Sequence, residues 1–397
     1  MRFADVKAPA PWTVPTHATM FTGLLPSSHR AQWGSAELQE RFQTLAEVLA
    51  ASGFETVAFS SNQYVAKRTN MVQGFDDFTL VKGADQTQQI LDSLPGVLDE
   101  TLAKNQRLFL FLNLMDTHIP YNTSRYGKAF GVRGKGPISN GNAKWPITAG
   151  ASPFSESMKR QHRAAYDAAV RYVDDATEAI FSLLRERNML DSSLVVITSD
   201  HGEGLGDHQE LGHSVGVWEE QLHVPLIIRL DGWRHLGIVE SRTTLTGLMP
   251  SILDWLRVSR PASLERAPTV LDYPSDEIVA DYRSYFSESN RTMNVNMGLK
   301  YPDLAARVTH AHIVYCGPHK LIVRPGPRME LYNLESDPTE QRDLAPTESA
   351  VLARCTSTYR ALVQQKKLTP FAGDQARPTA QEEPIDPQTL RELGYIE

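Results

Sequence analysis

Two cysteines, Cys316 and Cys355, are too few in 397 residues for a disulfide framework, and they lack metal-ligand spacing. They are expected to form one incidental bridge or to remain two buried thiols, a usage that fits a reducing compartment. The longest unbroken apolar run, Leu108-Phe109-Leu110-Phe111-Leu112, has the length of a strand and falls far short of a membrane span. The opening Met1-Arg2-Phe3-Ala4-Asp5 carries no apolar stretch of a secretory signal, so the chain as written is expected in the cytoplasm. Its 40 basic and 47 acidic residues, net charge -7, are spread without a basic patch or an acidic tail, which argues against nucleic acid as a partner. Internal repeats are also missing.

What is present is an ordinary core, 41% hydrophobic and 22% charged, enough for one large domain and a smaller one. Helical and strand patterns alternate. Thr44-Leu45-Ala46-Glu47 is a capping box opening a helix that Gly53 closes, and Thr56-Val57-Ala58-Phe59-Ser60 reads as a strand. Residues 90–102 read as a helix that Pro95-Gly96 splits or delays, followed by a strand over 108–112. A long amphipathic helix over 155–187 precedes a strand over 194–198. Residues 225–229 read as a further strand and 245–255 as a short helix. Such βα units predict an α/β fold, a doubly wound, mostly parallel sheet flanked by helices. Residues 121–153, rich in Gly, Pro, Asn and Lys, mark a surface insertion able to carry substrate contacts. After residue 260, short strands around 312–315, 320–324 and 329–333 with turns at Gly317-Pro318 and Pro325-Gly326-Pro327 form an antiparallel meander, closed by a helix over 351–364. The expected organisation is therefore a catalytic domain over 1–260, a small antiparallel α+β subdomain over 261–368, and a tail or strap over 369–397.

Three polar clusters at strand ends carry the chemistry. The first is Pro11-Trp12-Thr13-Val14-Pro15-Thr16-His17-Ala18-Thr19-Met20-Phe21-Thr22-Gly23. A helix beginning near Ala18 would either present a threonine hydroxyl where anions are favoured or use Thr13 and Thr16 merely as caps. The second, Asn113-Leu114-Met115-Asp116-Thr117-His118-Ile119-Pro120-Tyr121, follows a strand. The third, Ser199-Asp200-His201-Gly202-Glu203-Gly204-Leu205-Gly206-Asp207-His208, ends the run Leu194-Val195-Val196-Ile197-Thr198 and is followed by Leu211-Gly212-His213-Ser214. A carboxylate beside an imidazole at a strand's carboxyl end favours metal ligation over a structural pair. Glu203 would either orient His201 or lie exposed. His208 reads as a solvated loop histidine, although His118, His208 and His213 together leave room for a two-metal site. Asp174 and Asp175 read as a solvated helix face.

These clusters, with Glu330-Leu331-Tyr332-Asn333-Leu334-Glu335-Ser336-Asp337-Pro338-Thr339-Glu340 and the ending Glu392-Leu393-Gly394-Tyr395, occur in the order of the sulfatase family of the alkaline phosphatase superfamily, which the chain resembles. The resemblance implies an alkaline phosphatase-like fold and a hydrolase or transferase dependent on one divalent metal ion, Mn, Ca or Mg. The imidazole of its Asp-His pair favours Mn. It aligns Thr13 with the nucleophile, which in the family is a cysteine or serine converted to formylglycine. Threonine cannot be converted in this way, and a metal-bound Thr13 alkoxide attacking a phosphoryl centre needs no modification. It also implies Asp200, His201 and Thr13 as metal ligands, His118 and His213 as catalytic contacts, and His17 and Thr16 as substrate contacts. His17 replaces an arginine and His213 a lysine. The expected substrate is a small-molecule, glycan or lipid ester of phosphate or sulfate, with residues 281–285 helping to line the pocket. An ordinary sulfuric ester hydrolase is the alternative.

In the family an acidic pair on the first strand completes the metal site. No such pair precedes Thr13, and Asp5 is the one upstream carboxylate. The expectation is therefore a chain lacking the amino-terminal strand, with the remaining ligands in a missing segment. As written, such a chain would be weakly active or non-catalytic.

Overall fold

The computed structural model describes residues 1–32, 36–133, 144–230, 237–275, 278–282, 309–326, 328–369 and 371. The ending at 392–395, most of the 369–397 tail and residues 283–285 lie outside the described residues.

The chain opens with two short strands, β1 (Arg2–Phe3) and β2 (Val6–Lys7), and runs into helices α1 (Thr13–Thr22) and α2 (Pro26–His29). The expected capping box then opens α3 (Leu45–Ala51). The Glu47 amide donates to Thr44 Oγ1 at 3.2 Å, and the Thr44 amide donates to the Glu47 carboxylate at 2.8 Å. Strands β3 (Phe54–Ser60), β4 (Asp77–Leu80) and β5 (Arg107–Asn113) form a parallel sheet in the order β4-β3-β5. Helix α4 (Gln86–Lys104) runs unbroken through Pro95, contrary to the expected split. Its buried stripe of Ile90, Leu94 and Leu98 spans that residue, Ile90 and Leu94 pack with Val57 and Phe59, and this burial outweighs one missing backbone hydrogen bond. Within the insertion, α5 (Lys144–Thr148) is buried rather than a surface feature, and residues 134–143 lie outside the described residues. The long amphipathic helix α6 (Glu156–Glu186) has Ser155 as its N-cap, as its period predicts.

Strand β6 (Val195–Thr198) ends at the Asp-His pair. A hairpin follows, β7 (Gly204–Leu205) with β8 (Leu211–Gly212), then the four-residue helix α7 (Glu219–Leu222) and β9 (Leu226–Arg229). The expected parallel arrangement fails here, because β9 runs antiparallel to β6. No crossover helix intervenes, so the chain re-enters the sheet from the end at which it left. Strands β10 (Ile238–Val239) and β11 (Thr243–Thr244) complete the ladders β10-β1-β9-β6 and β11-β2, and α8 (Leu248–Trp255) packs with α1 and β9 in one apolar cluster.

Strands β5 and β6 are both apolar yet only half-buried along most of their length. Each ends its sheet, and no described strand pairs with its outer edge. Phe109 of β5 packs into the same cluster as Val196 of β6, and the carboxyl ends of both strands reach His17, through Asn113 at 3.4 Å and Asp200 at 3.4 Å. Two unpaired apolar edges converging on one point leave a seam in the middle of the fold.

The carboxyl-terminal meander comprises β12 (Val279–Tyr282), β13 (Ala311–Cys316), β14 (His319–Val323) and β15 (Met329–Asn333), all antiparallel, with α9 (Ser349–Gln364) packed on them. Strand β12 had no clear sequence signal. Cys316 and Cys355 form a bridge from β13 to α9, realising the first of the two expected alternatives. Among the described residues, no helix is long and apolar enough to cross a membrane.

This sheet is tied to the rest by buried charge. Lys320 Nζ lies 3.1 Å from Glu219 and 2.7 Å from Glu340, Lys7 also binds Glu219, and the Tyr315 hydroxyl donates to Glu219 at 2.7 Å. Burial alone would raise the Glu219 carboxyl, but Lys320 and Lys7 hold it well below the ordinary range. Glu219 therefore contributes stability above the unfolded glutamate pKa of about 4.3, and that contribution is lost as pH falls toward its lowered folded value. Lys320→Ala leaves two carboxylates facing each other in the interior. It is expected to cost about 3–5 kcal/mol in urea unfolding and to move acid unfolding to higher pH, whereas an unchanged urea midpoint would refute the tie.

Candidate active site

Helix α1 starts at Thr13, earlier than the sequence pattern suggests, with Trp12 as an N-cap whose side chain does not cap the helix. Pro15 fits the first turn, where an amide is not needed. The uncapped amides of this turn and the helix dipole favour an anion beside Thr13. Thr13 is buried, and Asn62 Nδ2 donates to its Oγ1 at 3.4 Å. The backbone holds Asn62 in place, since Asn62 Oδ1 accepts from the Tyr64 amide at 2.8 Å. Neither threonine caps α1. Thr16, fully buried, donates its hydroxyl to the Ala10 carbonyl at 3.0 Å.

His17 lies one turn along α1. Its Nδ1–H donates to the Thr13 carbonyl at 3.0 Å, so Nε2 accepts from Asn113 Nδ2 at 3.4 Å. Burial holds this imidazole below its ordinary pKa against the opposing pull of Asp200. Asp200 sits at the end of β6, 3.4 Å from His17 and 3.4 Å from His201 Nε2, and its Oδ1 accepts from the His201 amide at 3.1 Å. Desolvation would raise the Asp200 carboxyl, and the two imidazoles with that amide bring it below the usual value. His201 donates Nδ1–H to the Gly202 carbonyl at 2.8 Å, which turns its Nε2 toward Asp200.

The hairpin β7–β8 closes the site. Its register pairs Gly204 with Gly212, and so brings Glu203 and His213, the next residues outward, together at 3.2 Å. Glu203 therefore binds His213, and not His201 as a reading along the chain suggests. The His213 ring lies 4.0 Å from that of His201 and 4.8 Å from that of His118. The loop carrying His118 is fixed by Asp116, which accepts from Thr87 and from Asn122 Nδ2 at 2.7 Å. His118 donates Nδ1–H to the Ile119 carbonyl at 2.5 Å, and burial with His201 nearby pushes its pKa down to about 4. Burial and the neighbouring His201, His118 and Lys144 hold the fully buried His213 well below its ordinary value too.

Lys144 is the residue that sequence reasoning missed. It lies inside the low-complexity insertion, where a lone lysine gives no signal, yet it is buried and its Nζ donates to the His213 carbonyl at 3.1 Å. Burial lowers its ammonium pKa to about 8, against the opposing charges of Glu203 and Glu210. Gly212 makes room for it: φ is +73°, and a Cβ there would meet Lys144 Nζ at 2.9 Å and Glu203 at 3.2 Å. Asn62 was likewise invisible, and Asn113, although it opens the second polar cluster, had no readable role until β3 and β5 end beside α1.

The structure thus gathers Thr13, His17, His118, Asp200, His201 and His213 around the ends of β5 and β6. His208 is not among them. It stacks on Trp218 with centroids 4.0 Å apart and meets Glu220 at 3.3 Å, facing the carboxyl-terminal sheet. Asp5 pairs with Lys7 at 2.6 Å and Arg242 at 2.7 Å. Asp175 binds Tyr126 and Arg171, so it is less solvated than expected, whereas Asp174 is exposed. Asp200 and His201 offer the carboxylate and imidazole that suit a divalent transition metal. Among the described residues, however, no group of three or more His, Cys, Asp or Glu is arranged to hold an ion, so the donors fit in kind but make only part of a coordination shell.

Comparison with known proteins agrees with this geometry. The model of the family described as Sulfatase matches residues 1–258. The multifunctional alkaline phosphatase superfamily protein PehA of Trinickia caryophylli is 35% identical over 133 residues, which is 33% of this chain and 26% of that protein. The Delta 4,5-hexuronate-2-O-sulfatase of Bacteroides thetaiotaomicron is 22% identical over 91% of this chain and 80% of its own length. A solved structure described as in complex with its substrate D-glucosamine-2-N,6-O-disulfate superposes with a TM-score of 0.73 at 16% identity, covering 94% of this chain and 92% of that one. The phosphonate monoester hydrolase of Silicibacter pomeroyi superposes with a TM-score of 0.67 at 18% identity, covering 96% and 92%. At these identities the superpositions establish an alkaline phosphatase-like α/β fold. The family match spans well over half of the sequence, and the chain belongs to the sulfatase family.

Proposed function

We propose that this chain is a metal-dependent hydrolase or transferase of phosphate or sulfate esters in which Thr13 is the nucleophile. The observation that carries the reading is the placement of the Thr13 hydroxyl at the uncapped start of α1, oriented by Asn62, in a site edged by Asp200 and three imidazoles. In the reaction, Thr13 Oγ forms a bond to phosphorus or sulfur as the bond to the leaving oxygen breaks. His118 Nε2, left as an acceptor by the Nδ1–H bond to Ile119, takes the hydroxyl proton and returns it to the leaving oxygen. Water, or an acceptor alcohol, then displaces Thr13 and restores its hydroxyl. The helix amides, Lys144 and His213 face the anion, and His17 and Thr16 fix the loop beneath it. A divalent ion held by Asp200, His201 and Thr13 would lower the Thr13 hydroxyl pKa and offset negative charge on the transferred group.

The partial ligand set and the seam between β5 and β6 support one further reading: a further strand fills the seam, and acidic residues at its end complete the metal shell. Without that strand, weak or absent catalysis is the consequence. A phosphonate monoester hydrolase among the structural neighbours and a sulfatase among the sequence relatives represent both ester types, and formylglycine chemistry is closed to threonine. These points favour phosphoryl over sulfuryl transfer, with ordinary sulfatase activity as the alternative.

Thr13→Ala is expected to lower kcat on aryl phosphate diesters or phosphonates by at least about 1,000-fold with the melting temperature unchanged, and unaltered turnover would remove Thr13 from the mechanism. Sulfate esters are expected to turn over more slowly than phosphate diesters, whereas the reverse order would identify a sulfatase acting without formylglycine. Calorimetric titration of this chain with Mn2+ should give binding weaker than about 100 µM, as expected of an incomplete ligand set. Tight binding of one ion would overturn the incomplete-shell reading.

A further inference from the structure

Glu203 and His213 meet where the hairpin β7–β8 faces the site, but the loop joining its two strands carries two more titratable residues, His208 and Glu210, that the mechanism does not use. These two line a cleft of about 440 Å³ between the hairpin, Trp218 and the turn from β14 to β15. Glu210 is pressed against backbone there: a Cβ at Gly216 would collide with its carboxylate and come within 2.7 Å of Gln221 Nε2 and of Trp218 Cδ1. Its Oε2 accepts from Gln221 Nε2 at 2.9 Å. The Gln221 carbonyl accepts in turn from the Gly202 amide at 2.8 Å, beside His201. One residue of α7 thus holds both the loop of the hairpin and the segment leading into it. Each cation near the Glu210 carboxylate is engaged by another group. His208 meets Glu220 at 3.3 Å, Arg324 and Arg328 both meet Glu330, at 2.7 and 3.2 Å, and Lys144 donates to the His213 carbonyl at 3.1 Å. Burial, with the like charge of Glu220 on α7, pushes the Glu210 carboxyl up to about 7, against the pull of Gln221 and His208.

We propose that Glu210 is a proton-operated clasp: while it keeps its proton the hairpin stays docked on α7 and the carboxyl-terminal sheet, and its ionisation releases the hairpin together with the Glu203–His213 pair. A neutral carboxyl can sit against Gly216 and Gln221 at little cost, whereas a carboxylate held there without a cation must be hydrated, and parting the hairpin from α7 lets water reach it from the cleft. In an open hairpin Glu210 loses its proton near the unfolded glutamate pKa of about 4.3, and in the docked one only near 7. Docking is therefore favoured at acid pH and weakens as pH rises between those two values. The sign is opposite to that of Glu219, whose lowered carboxyl stabilises the fold above about pH 4.3. The two groups together place the assembled site on the mildly acidic side of neutrality. The clasp acts on the hairpin itself, so it stands whether or not Thr13 is the nucleophile.

The test reads local opening and does not depend on turnover. Amide hydrogen exchange of the full chain is followed by mass spectrometry in peptides covering residues 203–222, for the wild type and for Glu210→Gln, which keeps the shape of the neutral acid and cannot ionise. Comparing the two proteins at one pH cancels the intrinsic pH dependence of exchange. The ratio of hairpin opening in the wild type to that in the variant should rise at least about 10-fold between about pH 5 and about pH 8, and level off above about 7. Peptides from β3 and β5 should exchange alike in both proteins across that range. A ratio that stays constant with pH would show Glu210 to be a structural contact only and would overturn the clasp. The same rise in β3 and β5 would also overturn it, since opening would then be global and not confined to the hairpin.

Discussion

The contact on which the site depends is the one His17 makes in three directions at once. From a single position on α1 this imidazole binds the Thr13 carbonyl, the Asn113 amide and the Asp200 carboxylate. It thereby links the helix that carries Thr13 to the ends of β5 and β6, strands that belong to separate sheets. No backbone ladder among the described residues joins those strands. The alignment of their ends rests on this buried group and on apolar packing through Phe109 and Val196. Burial keeps this imidazole below its ordinary pKa, which leaves its Nε2 able to accept from Asn113.

The same economy appears at the other end of the molecule. Glu340 belongs to a motif that a sequence reader assigns to the family without knowing its purpose. In the fold it meets Lys320 and accepts from the Glu219 amide at 2.6 Å, so its role is to dock the carboxyl-terminal sheet against α7 and β2. His208 stacks on Trp218 and contacts the Glu340 carbonyl from the glycine-rich hairpin, extending that docking surface. The hairpin thus has two faces, one closing the site through Glu203 and His213 and one holding the smaller sheet.

Much of this was legible in the sequence where local chemistry and periodicity agree. The Thr44–Glu47 capping box, the 3.6-residue period of α6 and the apolar runs of β3, β5 and β6 each specify their elements without tertiary help. Strand polarity was less legible, because the four-residue helix α7 looks like any short polar segment and yet turns β9 antiparallel. Pro95 was misjudged for a related reason: the local penalty is visible in the sequence, and the burial of Leu94 and Leu98 that offsets it is not. In the site, Asp200 and His201 stand at a strand end and are readable. Lys144, Asn62 and Asn113 are brought in by long-range topology, and Glu203 finds His213 only through the hairpin register. Side chains ten or more residues apart that meet across a turn cannot be paired from spacing alone.

These parts make up a sulfatase-family fold in which Thr13 is the proposed nucleophile and the proposed ligand set is only partly assembled among the described residues. The central claim is that Thr13 forms the covalent bond. The most direct measurement is peptide mass mapping after acid quench of the protein during turnover of an aryl phosphate diester. The account predicts a phosphoryl adduct on the peptide containing Thr13. Turnover with no adduct on that peptide, or with the adduct on another residue, would contradict it.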